Sequence, residues 1–453
     1  IFYCPRYAHN VNGRLFMQQN EQITLKRSLT LWQLVLFGLA FMMLTTVFTT
    51  YGLASQMTKG MVTGAYIVAM CIMLFTAYSY GQMAKEYPIA GSAYSYAQRA
   101  IHPNVGLAVL MDYIFIPMVN YLVFGIFFHA AFPEVPEYVF ILAIIIVVTI
   151  INLRGITLAA NANLIIIALS AIFLVIYSIF VIKSILGGTG TGTLFNLSSI
   201  YNPENSFSYM LAGASLLCFS FLGFDSISTF SEEAVNPKRN IPRAILIATL
   251  LGGVLFSFIA YLSHNLWPDY DSFSNPDAAS YELVSLAGGK LLEALFLAIT
   301  AIAITGSALS AQASGARVLY AMGRAKLLPA FFGKLHPKHQ TPINNILLIS
   351  FLSLFAIVMT LNFIASFINF GAFVAFISVN IAVMFLYFKK QEKTTKNKIL
   401  FLVIPFIGAS LDFILLINLN HYSLILGFIW FLLGLLYLLF LTKGFKTKLS
   451  ADL

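Results

Sequence analysis

CFSFLGFDSISTFSEEAVNPKRNIPRAI, residues 218–245, starts as a membrane helix and then stops behaving like one. Its first residues are apolar enough for lipid. Gly223, Asp225, Ser226 and Ser228 then place a helix breaker, a charge and hydroxyls at membrane depth, where a carboxylate costs roughly 2.5–3.5 kcal/mol on insertion scales. A helix carrying such groups must face protein or water, and irregular backbone is tolerated there only around a cavity. The stretch therefore predicts a discontinuous helix beside a site near the membrane midplane.

Working outward, the composition places the whole chain in the membrane. Hydrophobic residues are 59% and charged residues 9%, with a mean hydropathy of +0.86, against about 25% charged in soluble domains. Largely apolar windows fall at 31–54, 61–84, 105–131, 137–156, 158–183, 209–229, 242–263, 290–316, 343–361, 366–388, 399–417 and 422–441, each long enough to cross about 30 Å of hydrocarbon. The expected architecture is an all-α polytopic membrane protein with twelve transmembrane helices. If the connections alternate across the membrane, 26 Lys and Arg residues divide so that all but Lys59, Lys183 and Lys290 share the side of the N-terminus. By the positive-inside rule both termini are cytoplasmic and the location is the cell (inner) membrane, multi-pass. The net charge of +9 is then an orientation signal, and no soluble basic face exists for nucleic acid.

Motifs for catalysis are missing. GGTGTGT at 187–193 lacks the Gly-Lys-Ser/Thr ending of a phosphate loop. The seven histidines form no metal motif, and His336 and His339 belong to a turn between Pro329 and Pro342. Cys71 and Cys218 lie inside predicted spans and Cys4 in the tail, so no disulfide framework is implied. Neither a cofactor, a metal nor an enzyme is indicated, and movement of a solute would have to run on an ion or substrate gradient. Residues 1–16 carry no pattern, and Met17 is an alternative start.

Three acids remain at membrane depth: Asp112, Asp225 and Asp412. Asp225 stands out because Gly223 lets the helix open and Ser226, Ser228 and Thr229 are expected to keep the site wet; it can also cap a second half-helix. Asp112, beside Tyr113 and ahead of Pro117 and Asn120, could bind an amine, carry a proton or bond a neighbouring helix. For Asp412 a packing role is expected. Glu232 and Glu233 close the sixth span next to Lys238 and Arg239, as an interfacial salt-bridged end or as a gate. Phe219, Phe221 and Phe224 flank the break, where aromatic faces can cover an amine.

LGFDSISTFSEEAVNPKRNIPRAI resembles the sixth-helix signature of the amino acid-polyamine-organocation (APC) superfamily. YPIAGSAYSYAQRAIHP at 87–103 resembles its loop after helix 2, and SGARVLYAMGRAKLLPAFFGKLHPKHQTP at 314–342 its loop between helices 8 and 9. LMDYIFIPM at 110–118, AFPEVP at 131–136 and INFGA at 368–372 are similar to bacterial putrescine importers of that superfamily. The resemblance implies a LeuT-type fold with a 5+5 inverted repeat and broken helices 1 and 6. It divides the chain into a cytoplasmic tail (1–30), a transporter core (31–388), helices 11–12 (389–441) and a C-terminal tail (442–453). It further implies a substrate site lined by Phe41, Met42, Thr45 and Thr46 of helix 1, Asp112 and Tyr113 of helix 3, and Phe219, Gly223, Phe224 and Asp225 of helix 6, with Asn369 and Phe370 of helix 10 as further candidates.

Two departures bear on the substrate. Helix 1 reads GLAFMMLTTVFTTYG, without the G-[SA]-G run of amino-acid members, and Leu44 and Thr49 stand where the putrescine importers carry a proline and an acid. Between Val105 and Asp112 the chain is shorter than the family by about four residues. The expected function is a secondary active permease importing a small amine-bearing solute such as putrescine, with Asp112, Asp225, Glu232 and Glu233 as candidates for proton coupling or gating and a sodium site of carbonyls and hydroxyls as the open alternative. An amino acid permease of the same superfamily and a transporter-like membrane sensor are the alternatives.

Overall fold

The computed structural model describes residues 27–88, 96, 111–155, 160–324, 328–337, 341–389 and 394–441. Both expected tails beyond these bounds, the start of the third predicted span and most of the 87–103 motif lie outside the described residues, as do the side chains of Asp112 and Tyr113.

Nearly all the described chain is helical, as it must be where no water is present to satisfy backbone groups. In chain order the helices are α1 (Leu31–Phe41), α2 (Thr46–Met57), α3 (Val62–Glu86), α4 (Met111–Ala131), α5 (Glu137–Leu153), α6 (Ala160–Leu186), α7 (Phe207–Leu217), α8 (Pro237–Leu266), α9 (Ala279–Arg324), α10 (Ile343–Ser353), α11 (Leu361–Lys389), α12 (Ile404–Ile417) and α13 (His421–Leu441). Among the described residues, eight helical stretches are long and apolar enough to cross a membrane, or nine if α1 and α2, bent by 51°, form one span. Shorter apolar helices cover 137–153, 343–357 and 421–437.

Long helices pack through small residues, the rule where lipid supplies no hydrophobic drive between helices. A Cβ on Gly253 of α8 would fall 2.4 Å from Met70 Cγ of α3, and one on Gly81 of α3 would fall 3.2 Å from Pro242 Cβ of α8; these two helices lie along each other. α9 continues past Gly289, whose φ of 58° interrupts the helical backbone. The predicted window at 290–316 starts just beyond that kink.

Two discontinuities set the middle of the molecule. Between α1 and α2 the chain turns at Met43, φ 47°. The Thr46 hydroxyl donates to Met42 O at 2.9 Å and Met43 O at 2.6 Å, holding the turn. After α7 comes a 3-10 turn at Cys218–Phe221, then Gly223 at φ 116°, then a second 3-10 segment, Asp225–Phe230. The segments flanking the two breaks are tied as well. Ser28 N and Leu29 N donate to Glu233 O at 2.9 and 3.0 Å, and Val235 N donates to Leu29 O at 2.9 Å, forming an isolated parallel bridge between Leu29 and Ala234.

Candidate substrate site

The two breaks meet. A Cβ at Gly223 would sit 2.8 Å from Phe41 Cβ, 2.9 Å from Phe41 C and 3.1 Å from Met42 N, so this close approach of main chains needs a residue without a side chain as well as one that accepts positive φ. Around the junction lies a cavity of about 190 Å³. Its walls are Ala40–Met43, Thr46 and Thr49 from the first break, Phe219, Leu222, Gly223, Asp225 and Ser226 from the second, and residues of α3, α4, α6, α9 and α11.

Of the residues expected at the site, the structure brings Phe41, Met42, Thr46, Phe219, Gly223 and Asp225 to the cavity wall. Thr45 is buried beside them with its hydroxyl unpartnered among the described residues, and is not a lining residue. Phe224 is fully buried behind the wall, with ring centroids 5.5 Å from Tyr80 and 5.3 Å from Phe376, both of which do line it. Phe370 packs over Gly427 of α13.

Asn369 has another task. Its Nδ2 donates to Ser215 O at 2.8 Å and Leu216 O at 3.0 Å, clamping the carbonyl end of α7. Replacing Asn369 with Ala is expected to destabilise the protein by about 1–3 kcal/mol, the cost of losing two buried hydrogen bonds. A thermal unfolding shift in detergent checks this, and an unshifted midpoint would show that the clamp contributes nothing.

The hydroxyls after Gly223 are engaged differently from the wet site the sequence suggests. Ser226, Ser228, Thr229 and Ser231 donate back to the carbonyls of Gly223, Asp225, Ser226 and Ser228 at 2.5–2.6 Å. They hold the 3-10 segment by local side-chain bonds, an option open to Ser and Thr but not to apolar residues. Asp225 is the first residue of this segment and stands half-buried on the cavity wall. Glu232 is exposed and Glu233 half-buried beyond the segment's end, and the Glu233 carbonyl carries the bridge to Ser28 and Leu29.

Several lining residues escaped the sequence reading. Asn120 Nδ2 on α4 donates to Ser307 Oγ on α9 at 3.1 Å, and Ser307, Ser310 and Ser314 line the cavity together. Their spacing in ITGSALSAQASG puts hydroxyls on one face of an apolar helix, a signal that was available. Tyr80 and Phe376 gave no such signal among the many aromatics.

Next to the first break, α2 packs into a block of rings. Phe48 lies 5.0–5.8 Å from Phe173, Tyr177 and Phe296, and Phe127 lies 5.1 Å from Phe296, all five at most 2% exposed. Edge-to-face pairs of this kind add about 0.5–1.5 kcal/mol each beyond their buried area. Phe41, on the opposite side of the break, is 45% exposed.

Asp225 is the one charged side chain on the described wall, and no Lys or Arg joins it. Two discontinuous helices crossing at a buried cavity with an acid at the crossing are the make-up of a solute carrier. Residues 29–447 match the Amino acid permease family, and the chain belongs to it. It is 39% identical over 446 residues to the low-affinity putrescine importer PlaP of Escherichia coli K12, covering 97% of this chain and 98% of that protein. It is also 26% identical to the methylthioribose transporter of Bacillus subtilis, over 94% and 95% of the two chains. The branched-chain amino acid permease BcaP of Bacillus subtilis is 24% identical, over 93% and 95%. The family is one of transporters, so the chain is a permease and not an enzyme.

Proposed function

We propose that this permease imports a small organic amine, putrescine or a related polyamine, and that Asp225 receives one of its cationic groups. The observation that carries the reading is the charge of the cavity: a single carboxylate and no cation on the described wall. A carboxylate at that depth is costly alone and favourable when paired. The aromatic faces of Phe219, Tyr80 and Phe376 can cover the methylene chain and support a second ammonium by cation–π attraction, and Asn120, Ser307, Ser310 and Ser314 offer oxygens further along. Asp112 and Tyr113 complete the proposed set from α4. Near-complete alignment at 39% identity with a putrescine importer supports the same substrate class.

In this reading the chain has twelve spans, the shorter helices α5, α10 and α13 included, with both termini in the cytoplasm. Spans 1–5 and 6–10 form two inverted repeats, α1–α2 and α7 with its 3-10 segments being the broken members, and 389–441 lies outside the repeats. Uptake is proton symport, in which one charge moved across 100 mV supplies about 2.3 kcal/mol.

Similarity to branched-chain amino acid permeases keeps one second reading in view: an α-carboxylate could be held by the open backbone at Met42–Thr45. Competition against radiolabelled putrescine uptake in proteoliposomes separates the two. Putrescine, spermidine and decarboxylated amino acids are expected to compete at least tenfold better than the parent amino acids. Competition by free amino acids but not by their decarboxylated amines would move the chain to the amino acid class.

A further inference from the structure

Asp412 on α12 lies outside the substrate cavity and is fully buried. Its Oδ2 accepts from Thr76 Oγ1 of α3 at 2.7 Å and from Asn380 Nδ2 of α11 at 3.0 Å. Asn380 Nδ2 also reaches Thr76 Oγ1 at 3.2 Å, and Ser79 Oγ donates to Asn380 Oδ1 at 2.5 Å. Asp412 Oδ1 is buried with no hydrogen-bond partner among the described residues. One acid therefore joins three helices through four polar side chains, and half of its carboxyl group is unsatisfied.

Packing alone does not need an ionisable residue here, since an Asn at 412 would accept the same two bonds. Among the described residues the side-chain partners of Asp412 are Thr76 and Asn380, and no cation joins them. On the elements packed against α12, the titratable groups are Tyr66, Cys71, Tyr78, Tyr80, Lys85 and Glu86 of α3, Tyr387 and Lys389 of α11, Tyr209 of α7 with Cys218 after it, and Lys396 and Lys398 ahead of α12. Of these the Cys218 thiol lies within electrostatic reach of Asp412. An isolated buried carboxylate is among the costliest states a side chain can hold, and taking up a proton is its ordinary relief.

Position links this cluster to the substrate. Thr76 and Tyr80 stand one turn apart on α3, Phe376 and Asn380 one turn apart on α11, and Tyr80 and Phe376, 6.1 Å apart, line the cavity. Phe224, just before Asp225, packs on both rings. The second break thus packs directly against the two helices that supply Asp412 with its hydrogen bonds.

We propose that Asp412 is the proton-binding site of transport, an inference that rests on the symport reading above. Its carboxylate takes one H⁺ from the outer side to become the neutral acid, and returns that H⁺ to the cytoplasm after the helices rearrange; no other bond is made or broken.

The test uses the purified full chain in proteoliposomes holding a pH-reporting dye, with putrescine as the probe. An inward proton gradient should drive wild-type accumulation with proton entry. Asp412→Asn should lose at least tenfold of that accumulation while retaining putrescine counterflow, which needs no net proton movement, within about twofold. Gradient-driven accumulation by Asp412→Asn at the wild-type level overturns the assignment while the symport reading stands. A wild type driven by sodium and not by protons overturns it in favour of a cation site. A wild type that answers neither gradient removes the symport reading and the assignment with it. If Asp412→Asn loses counterflow as well, Thr76→Val decides, because it keeps the acid and removes one donor to its charged form. The pH of half-maximal uptake should then rise by about one unit; an unmoved profile overturns the proposal.

Discussion

Asp225→Asn is expected to insert and fold normally and to lose about tenfold to a hundredfold in putrescine uptake efficiency. Folding survives because residue 225 opens the 3-10 segment at a half-buried position, where Asn matches Asp in size and suits a helix start equally well. Transport suffers because a hydrogen bond to a charged partner is worth about 1.5–3 kcal/mol, with each 1.4 kcal/mol a factor of ten. No other charged side chain on the described wall can substitute. Initial-rate uptake against substrate concentration, beside a thermal unfolding curve, measures both parts. Near-normal uptake by the variant would remove Asp225 from the substrate site.

The second large effect concerns the contact between the two breaks. Gly223→Val should abolish putrescine binding while the protein still reaches the membrane. The φ of 116° at this position costs a β-branched residue on the order of 1–3 kcal/mol. The first added carbon would also press into main-chain and Cβ atoms of Phe41 at under 3.0 Å. Backbone cannot rotate away as a side chain can, so α1 and the 3-10 segment must separate and the cavity wall with them. Gly223→Ala should lose binding by a smaller factor, and scintillation-proximity binding in detergent ranks the three proteins. Wild-type affinity in Gly223→Val would mean that the breaks do not touch.

The break after α7 was legible because Gly223 and Asp225 are wrong for a membrane helix, and a wrong residue in an apolar run is visible locally. The break between α1 and α2 carries no such mark. FMMLTT contains neither glycine nor proline, and its left-handed residue is Met43; only the resemblance pointed there. What holds it, the Thr46 hydroxyl on two carbonyls, depends on the turn already existing. Asn369 illustrates the opposite difficulty: a polar residue in the right helix reads as a lining residue, but its partners at 215 and 216 are 154 and 153 positions away. Ser307, Ser310 and Ser314 followed a readable helical spacing, whereas Tyr80 and Phe376 were singled out by packing between distant helices.

The bridge at Leu29 and Ala234 makes the strand leading into α1 and the strand leaving the 3-10 segment a single mechanical unit. Three main-chain hydrogen bonds join them, each worth about 0.5–1.5 kcal/mol net, so pulling one half-helix away from the other at this end costs about 1.5–4.5 kcal/mol. That is enough to make separate swinging rare. In the proposed transport cycle the two half-helices are expected to swing as a yoked pair, hinged where Phe41 meets Gly223, so that a solute held at that hinge would travel almost no distance while the path to it changes sides.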